Sequence, residues 1–171
     1  MERLQGIFCE GNRVRLSIVF VAALFMFALI ASSSTAADNH LVNTDQENIA
    51  IDGYDTVAYF TERQPVKGID EYEQVWQNAI WKFSSAENRD RFSNDPERYA
   101  PRYGGFCVGG LAVGVLRKVD PQAWAIVDNK LYLNFEKADV SPFVENSTDE
   151  VAKADANWER LGKIKPSRFS Q

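Results

Sequence analysis

Alternating apolar and polar positions predict two β-hairpins in this chain. Aromatic and β-branched residues from Tyr72 to Trp76 and from Ile80 to Phe83 flank the polar pair Gln77-Asn78, a pattern typical of two short antiparallel strands. The stretch from Ala123 to Phe135 repeats this arrangement around Asp128-Asn129. We therefore expect two hairpins that together form an antiparallel sheet.

Capping signals predict helices after the first hairpin and near the C-terminus. Ser84 followed by Glu87 forms a capping box, and Asp95-Pro96 combines an N-cap residue with proline in the first turn. Ser147 to Glu150 is a second capping box. The apolar residues that follow it lie on one helical face and precede Gly162: Val151, Ala154, Trp158 and Leu161. The predicted fold is a small α+β domain whose hairpins are packed by a central helix and a C-terminal helix.

Two segments have a less regular pattern. Val57 to Phe60 fits either a strand or a short helix. Gly104 to Gly114 contains five glycines in eleven residues, which is too many for a stable helix interior. We therefore expect a loop or a tightly packed irregular strand there.

The first 37 residues predict an export signal. Arg13 and Arg15 precede an almost wholly apolar run from Ile18 to Ile30, and small residues follow up to Ala37. This order is typical of a secretory signal cleaved after Ala36 or Ala37. The apolar run is shorter than the roughly 20 residues that span a bilayer, so we expect an exported protein, periplasmic or secreted, that contacts membranes only through its signal. An uncleaved signal-anchor is the alternative.

Cleavage would leave residues 38–171, which is enough chain for one domain. We expect a flexible leader over 38–48, a folded domain over 49–162 and a disordered tail over 163–171. Without the acidic and basic residues of the signal, 22 acids and 16 bases remain, for a net charge of −6. No stripe of Lys and Arg interrupts this acidic balance, so a nucleic-acid partner is not expected.

The glycine-rich segment contains the candidate reactive group. Cys107 is the only cysteine outside the predicted signal, and glycine pairs lie on both sides of it. Backbone N–H groups of such a loop can stabilise a thiolate, and Arg102, Arg117 or Lys118 would add positive charge if folded nearby. The alternative is a buried and inert structural cysteine.

Six further residues are candidates for binding a ligand beside this thiol: Tyr54, Asp55, Tyr103, Gly104, Gly105 and Phe106. Asp55 and Tyr54 either orient a ligand or carry a proton, or they have structural roles as a cap and a core aromatic. The four tryptophans of the chain more often form core than a pocket.

Other chemistry has little support in the sequence. The chain beyond the signal has His40, Cys107 and no methionine, which is a poor ligand set for zinc or copper. We expect no metal site and no cofactor, although two chains could share their Cys107 thiolates. No usable histidine is available for a Ser–His or Cys–His pair, because His40 lies in the predicted leader, and no phosphate-binding glycine motif is present.

Three segments resemble the YHS domain family, in its exported single-domain branch. Asp52 to Phe60 resembles a GYDPVAYF signature, with Thr56 where proline is usual. Trp81 to Tyr99 resembles the F-S-S-x-E-N-R core, and Tyr103 to Cys107 the glycine-cysteine segment. The resemblance covers about Ile49 to Leu161 and implies a small α+β domain, but it implies little about activity.

Two features of the resemblance concern cysteine. In some relatives the position of Cys107 is selenocysteine, which would favour redox chemistry there. Metal-associated YHS domains carry cysteines at the positions held here by Ser84 and Asn88, so their metal-binding role is not transferred to this chain.

Three functions follow as hypotheses. The first is an exported accessory domain that binds an unknown small ligand or protein partner near Cys107, without turnover. The second is a thiol-dependent redox protein that uses Cys107. The third is a protein that handles copper or zinc. The sequence leaves the oligomeric state open.

Overall fold

The computed structural model describes residues 41–163. The predicted export signal, His40 and the tail from residue 164 onward lie outside this range.

Two β-hairpins form as the sequence predicts. The first joins β1 (Ile69–Trp76) to β2 (Ala79–Phe83), and the second joins β3 (Asp120–Val127) to β4 (Lys130–Asn134). Both turns consist of two residues with positive φ, as in the type I′ turns that suit the twist of paired strands.

Within the described residues, each hairpin forms its own two-stranded antiparallel sheet. The α+β class is confirmed, but the hairpins do not join into the single sheet that we expected. Other parts of the chain reach the outer edges of β2 and β4, where Ile49 pairs with Ile80 and Cys107 pairs with Leu133.

The helices are short except for the last one. Their bounds are α1 (Ala58–Thr61), α2 (Ala86–Asn94), α3 (Pro96–Tyr99), α4 (Val108–Ala112), α5 (Val140–Glu145) and α6 (Ser147–Leu161). Three 3₁₀ turns accompany them in the described part of the chain, at Ile51–Gly53, Arg102–Gly105 and Lys137–Asp139. Between residues 41 and 163, none of the helices combines the length and the apolar character that crossing a bilayer requires.

Two of the predicted caps differ from the structure. The cap of α2 is Ser85, whose side chain accepts the N–H of Asn88 at 3.2 Å, because Ser84 donates its hydroxyl to the Asp55 carboxylate instead. At α6, Ser147 is already the first helical residue and Asn146 precedes it without a side-chain cap. The predicted end at Gly162 is confirmed, since its N–H donates to the carbonyl of Trp158 at 2.8 Å.

The glycine-rich segment contains a helix where we expected a loop or an irregular strand. Helix α4 includes Gly109 and Gly110 despite their low helix propensity. Tertiary contacts compensate, because the side chain of Asn157 on α6 donates to the carbonyl of Leu111 at 2.9 Å. The thiol of Cys107 also caps the first turn.

Packed structure is already present at residue 41, inside the segment 38–48 that we predicted to be a flexible leader. Leu41 and Val42 are buried, and the N–H of Leu41 donates to the carbonyl of Gly162 at 2.9 Å. Asn43 donates its N–H to Gly104 and its side-chain amide to the carbonyl of Gly105. Residues 41–43 therefore connect the glycine segment to the end of α6.

The second hairpin lies between two clusters of buried side chains. Leu131 and Leu133 of β4 point into one cluster, which also contains Trp81, Phe83 and Phe92. Tyr132 points the other way, into a second cluster formed mainly by residues of α4, α5 and α6. This alternation follows from the two-residue period of a strand, and it decides which side chains of β4 face the candidate site.

Candidate functional site

Cys107 lies where the glycine segment meets β4. Its N–H donates to the carbonyl of Arg117 at 3.1 Å, and its backbone pairs with Leu133. Its Sγ accepts the N–H of Gly110 at 3.4 Å, so the thiol takes the N-cap position of α4 that serine or aspartate usually fills. Cys107 is 2% exposed.

The buried thiol nevertheless lines a cavity of about 260 Å³. Residues of α4, β4, α5 and α6, of the loop after α4 and of the 3₁₀ turn after β4 surround this space together with Cys107. They are Cys107, Gly109, Gly110, Val113, Arg117, Asn134, Asp139, Pro142 and Glu150. Cys107, Gly110 and Asn134 are buried, Asp139 and Glu150 are half-buried, and Val113, Arg117 and Pro142 are exposed. The cavity therefore extends from a rim in contact with solvent to a floor that includes the buried residue Cys107. We call it the Cys107 cavity.

Asn134 is the second polar residue at the floor. It is 1% exposed, and its Nδ2 donor has no hydrogen-bond partner among the described residues. It is two residues beyond Tyr132 on β4, so its side chain points to the same face as Tyr132, toward α4, α5 and α6. A buried donor without a partner costs about 1–3 kcal/mol of stability, so the Asn134 amide is a candidate hydrogen-bond donor to a bound molecule.

Charged groups of both signs line the walls. The Arg117 guanidinium stacks on the ring of Phe135, with its central carbon 3.9 Å from the ring centroid. Asp139 accepts the N–H of Glu136 at 3.3 Å through one carboxylate oxygen. Over the range 41–163, neither Arg117 nor Glu150 forms an ion pair with another described residue.

Of the three basic residues considered as neighbours of the thiol, only Arg117 lines the cavity. Arg102 pairs with Asp155 at 3.2 Å. Lys118 is exposed and is not among the lining residues.

The predicted binding residues of the glycine segment lie outside the Cys107 cavity. Tyr103 is buried and donates its hydroxyl to Asp155 at 3.0 Å; burial and this carboxylate both raise the pKa of Tyr103 above its ordinary value. Gly104 and Gly105 accept hydrogen bonds from Asn43. Phe106 packs against Trp158, with ring centroids 6.4 Å apart. Through these contacts with Asn43 and α6, these residues position the segment that contains Cys107.

Asp55 and Tyr54 also lie outside the cavity. Asp55 is fully buried, and Oδ1 of its carboxylate accepts the N–H groups of Val57 and Ala58 at 2.9 and 3.2 Å. Oδ2 accepts the N–H and the hydroxyl of Ser84 and the amide of Asn88, at 2.8, 2.6 and 2.8 Å. This arrangement gives Asp55 a structural role. Tyr54 stacks beneath Lys67, whose Nζ is 4.5 Å from the ring centroid.

The four tryptophans pack in or against the two core clusters: Trp76, Trp81, Trp124 and Trp158. None of them lines the Cys107 cavity. Their interpretation as core residues agrees with these contacts.

Sequence reasoning missed the polar residues that accompany Cys107. Asn134, Asp139 and Glu150 come from separate elements and form no motif. The available signal was the alternation along β4, which places Asn134 on the face opposite Leu133. It would have marked Asn134 as a polar residue at a buried strand position.

Among residues 41–163, no group of three or more His, Cys, Asp or Glu side chains has an arrangement that could hold a metal ion. The positions of Ser84 and Asn88 do meet, since the Asn88 amide is 3.3 Å from the Ser84 hydroxyl, but both bind Asp55.

The chain was compared with protein-family models, with curated proteins and with solved structures. None of the three comparisons gives a significant match.

Proposed function

We propose that this protein is an exported accessory domain that binds a small ligand in the Cys107 cavity without turning it over. The observation that carries the proposal is the unpartnered Nδ2 of Asn134 in the wall of a cavity that reaches the surface. Unsatisfied buried donors are uncommon in folded proteins, and a ligand oxygen would satisfy this one. Concave sites with few polar groups are typical of small-molecule binding.

We also propose membership of the YHS domain family. The meeting of Ser84 and Asn88 around Asp55 supports this assignment, because the resemblance places paired cysteines at these two positions in the metal-associated branch. In this chain the Asp55 carboxylate accepts hydrogen bonds from both of these side chains. The assignment predicts a binding role for the domain but names no ligand.

Thiol redox chemistry is the second candidate, and the contact of Cys107 with the cavity favours it. The thiol is too buried for a disulfide of a protein partner to reach it. A small peroxide could enter: attack of the thiolate on the O–O bond would give a sulfenic acid and release hydroxide or an alkoxide, which takes up a proton from solvent to form water or an alcohol. A trap for sulfenic acid, applied after peroxide treatment, distinguishes this candidate from binding alone.

Size-selective labelling tests the proposed site. We expect iodoacetamide to modify Cys107 in the folded protein, because Cys107 lines a cavity whose rim is exposed. A maleimide joined to a polyethylene glycol chain is expected to react only when the protein unfolds. Peptide mass spectrometry separates Cys107 from Cys9, and Cys107→Ser, which keeps an N-cap oxygen, serves as the unlabelled control. Equal protection of Cys107 from both reagents would contradict an accessible site.

A further inference from the structure

We propose that the ligand of the Cys107 cavity is a small zwitterion of the α-amino-acid type. This inference rests on the proposed function and names the chemical class of its ligand. The ligand carboxylate would accept hydrogen bonds from Asn134 and meet Arg117, and its ammonium group would lie near Asp139 and Glu150.

The unpartnered amide of Asn134 indicates that the ligand carries a hydrogen-bond acceptor. Asn134 lines the cavity, and its amide nitrogen is buried and lacks a partner within the described part of the chain. An amide N–H needs an oxygen acceptor. A carboxylate is a strong acceptor, because its charge shortens and strengthens the bond.

The ammonium group is indicated by the two carboxylates. Asp139 and Glu150 are half-buried and line the same cavity. The Glu150 carboxylate closely approaches α4, since its Oε2 lies 3.8 Å from the place that a Cβ of Gly109 would occupy. A simple anion would meet these two negative charges, whereas a simple cation would leave Asn134 unsatisfied and meet Arg117.

The size and rim of the cavity limit the rest of the ligand. A volume of about 260 Å³ lies just below the roughly 300–1,000 Å³ of drug-sized sites, which suits a single amino acid better than a peptide. Val113 and Pro142 form an exposed apolar part of the rim. An apolar ligand side chain would pack there.

Binding is tested with the twenty common α-amino acids as probes of the full chain. We expect at least one to raise the unfolding midpoint and, at ten times its dissociation constant, to slow iodoacetamide labelling of Cys107 about tenfold. The amine and the carboxylic acid that lack one of its two charged groups are expected to bind at least about tenfold more weakly. Equal binding of either analogue, or no binding by any of the twenty, would overturn the inference.

Variants separate a binding role of Asn134 from a structural one. Asn134→Leu removes a buried donor without a partner, so we expect a higher unfolding midpoint together with at least about tenfold weaker amino-acid binding. Glu150→Gln is expected to weaken binding about fivefold or more. Glu159→Gln, at an exposed position of the same helix, is the matched control and should bind normally. Unchanged binding in both Asn134→Leu and Glu150→Gln would contradict the assignment.

Labelling of Cys107 distinguishes failure of the proposed site from failure of the proposed ligand. If Cys107 reacts with iodoacetamide only after unfolding, the proposed site itself is wrong. If Cys107 reacts in the folded protein but no amino acid protects it, the site stands and the zwitterion is wrong.

Discussion

Asp55→Asn is expected to lower the free energy of unfolding by at least about 3 kcal/mol. The Asp55 carboxylate accepts five hydrogen bonds in a fully buried position. An amide has only one accepting oxygen, so at least two of these bonds are lost, and hydrogen bonds to a charged group contribute about 1.5–3 kcal/mol each. Urea unfolding measures the change.

The control for this prediction is Asp52→Asn, in the same segment. Asp52 is exposed and has a φ of 53°, a conformation that asparagine adopts as readily as aspartate. We expect its stability to change by less than about 0.5 kcal/mol. Similar effects of the two substitutions would show that the network around Asp55 does not hold α1 to the start of α2.

Gly104→Ala is the second prediction with a large effect, and we expect the free energy of unfolding to fall by about 2–5 kcal/mol. Gly104 has a φ of +59°, and a Cβ built there would lie 2.0 Å from the carbonyl oxygen of Leu41. Left-handed backbone costs alanine about 1–2 kcal/mol, and overpacking against rigid backbone adds about 1–3 kcal/mol. The connection between residues 41–43 and the glycine segment would be disrupted.

Gly109→Ala provides the matched comparison within the same segment. Its Cβ would meet only Glu150 Oε2, at an ordinary contact distance of 3.8 Å, and the residue lies within α4. Alanine is favoured over glycine in a helix by up to about 1 kcal/mol, so we expect equal or greater stability. Thermal and urea unfolding of both variants test this difference. A Gly109→Ala protein as unstable as Gly104→Ala would contradict it.

Local chemistry explains the parts of the fold that could be predicted. The pairs Gln77-Asn78 and Asp128-Asn129 tolerate positive φ, and alternating side chains on both sides fix the strands. Asp95 and Pro96 likewise determine the start of α3 through the cap on Arg98. In each case the residues that decide the structure are adjacent in sequence.

The parts that were missed depend on distant contacts. Ser84 has the local features of a cap, but Asp55 lies within hydrogen-bonding distance once the chain folds. Helix α4 forms against glycine propensity because Asn157 and the Cys107 thiol satisfy its backbone. Asn134, Asp139 and Glu150 join Cys107 only in three dimensions, so the sequence identified Cys107 and Arg117 as candidates but not these three residues.

The urea dependence of Cys107 labelling by iodoacetamide tests the central claim, that this thiol opens into an accessible cavity, most directly. We predict that at low urea the labelling rate is nearly independent of urea, because the reagent enters the folded protein. It should rise with the slope of global unfolding only near the transition. A rate that follows global unfolding down to zero urea would contradict the claim and show that the sulfur is sealed in the native fold.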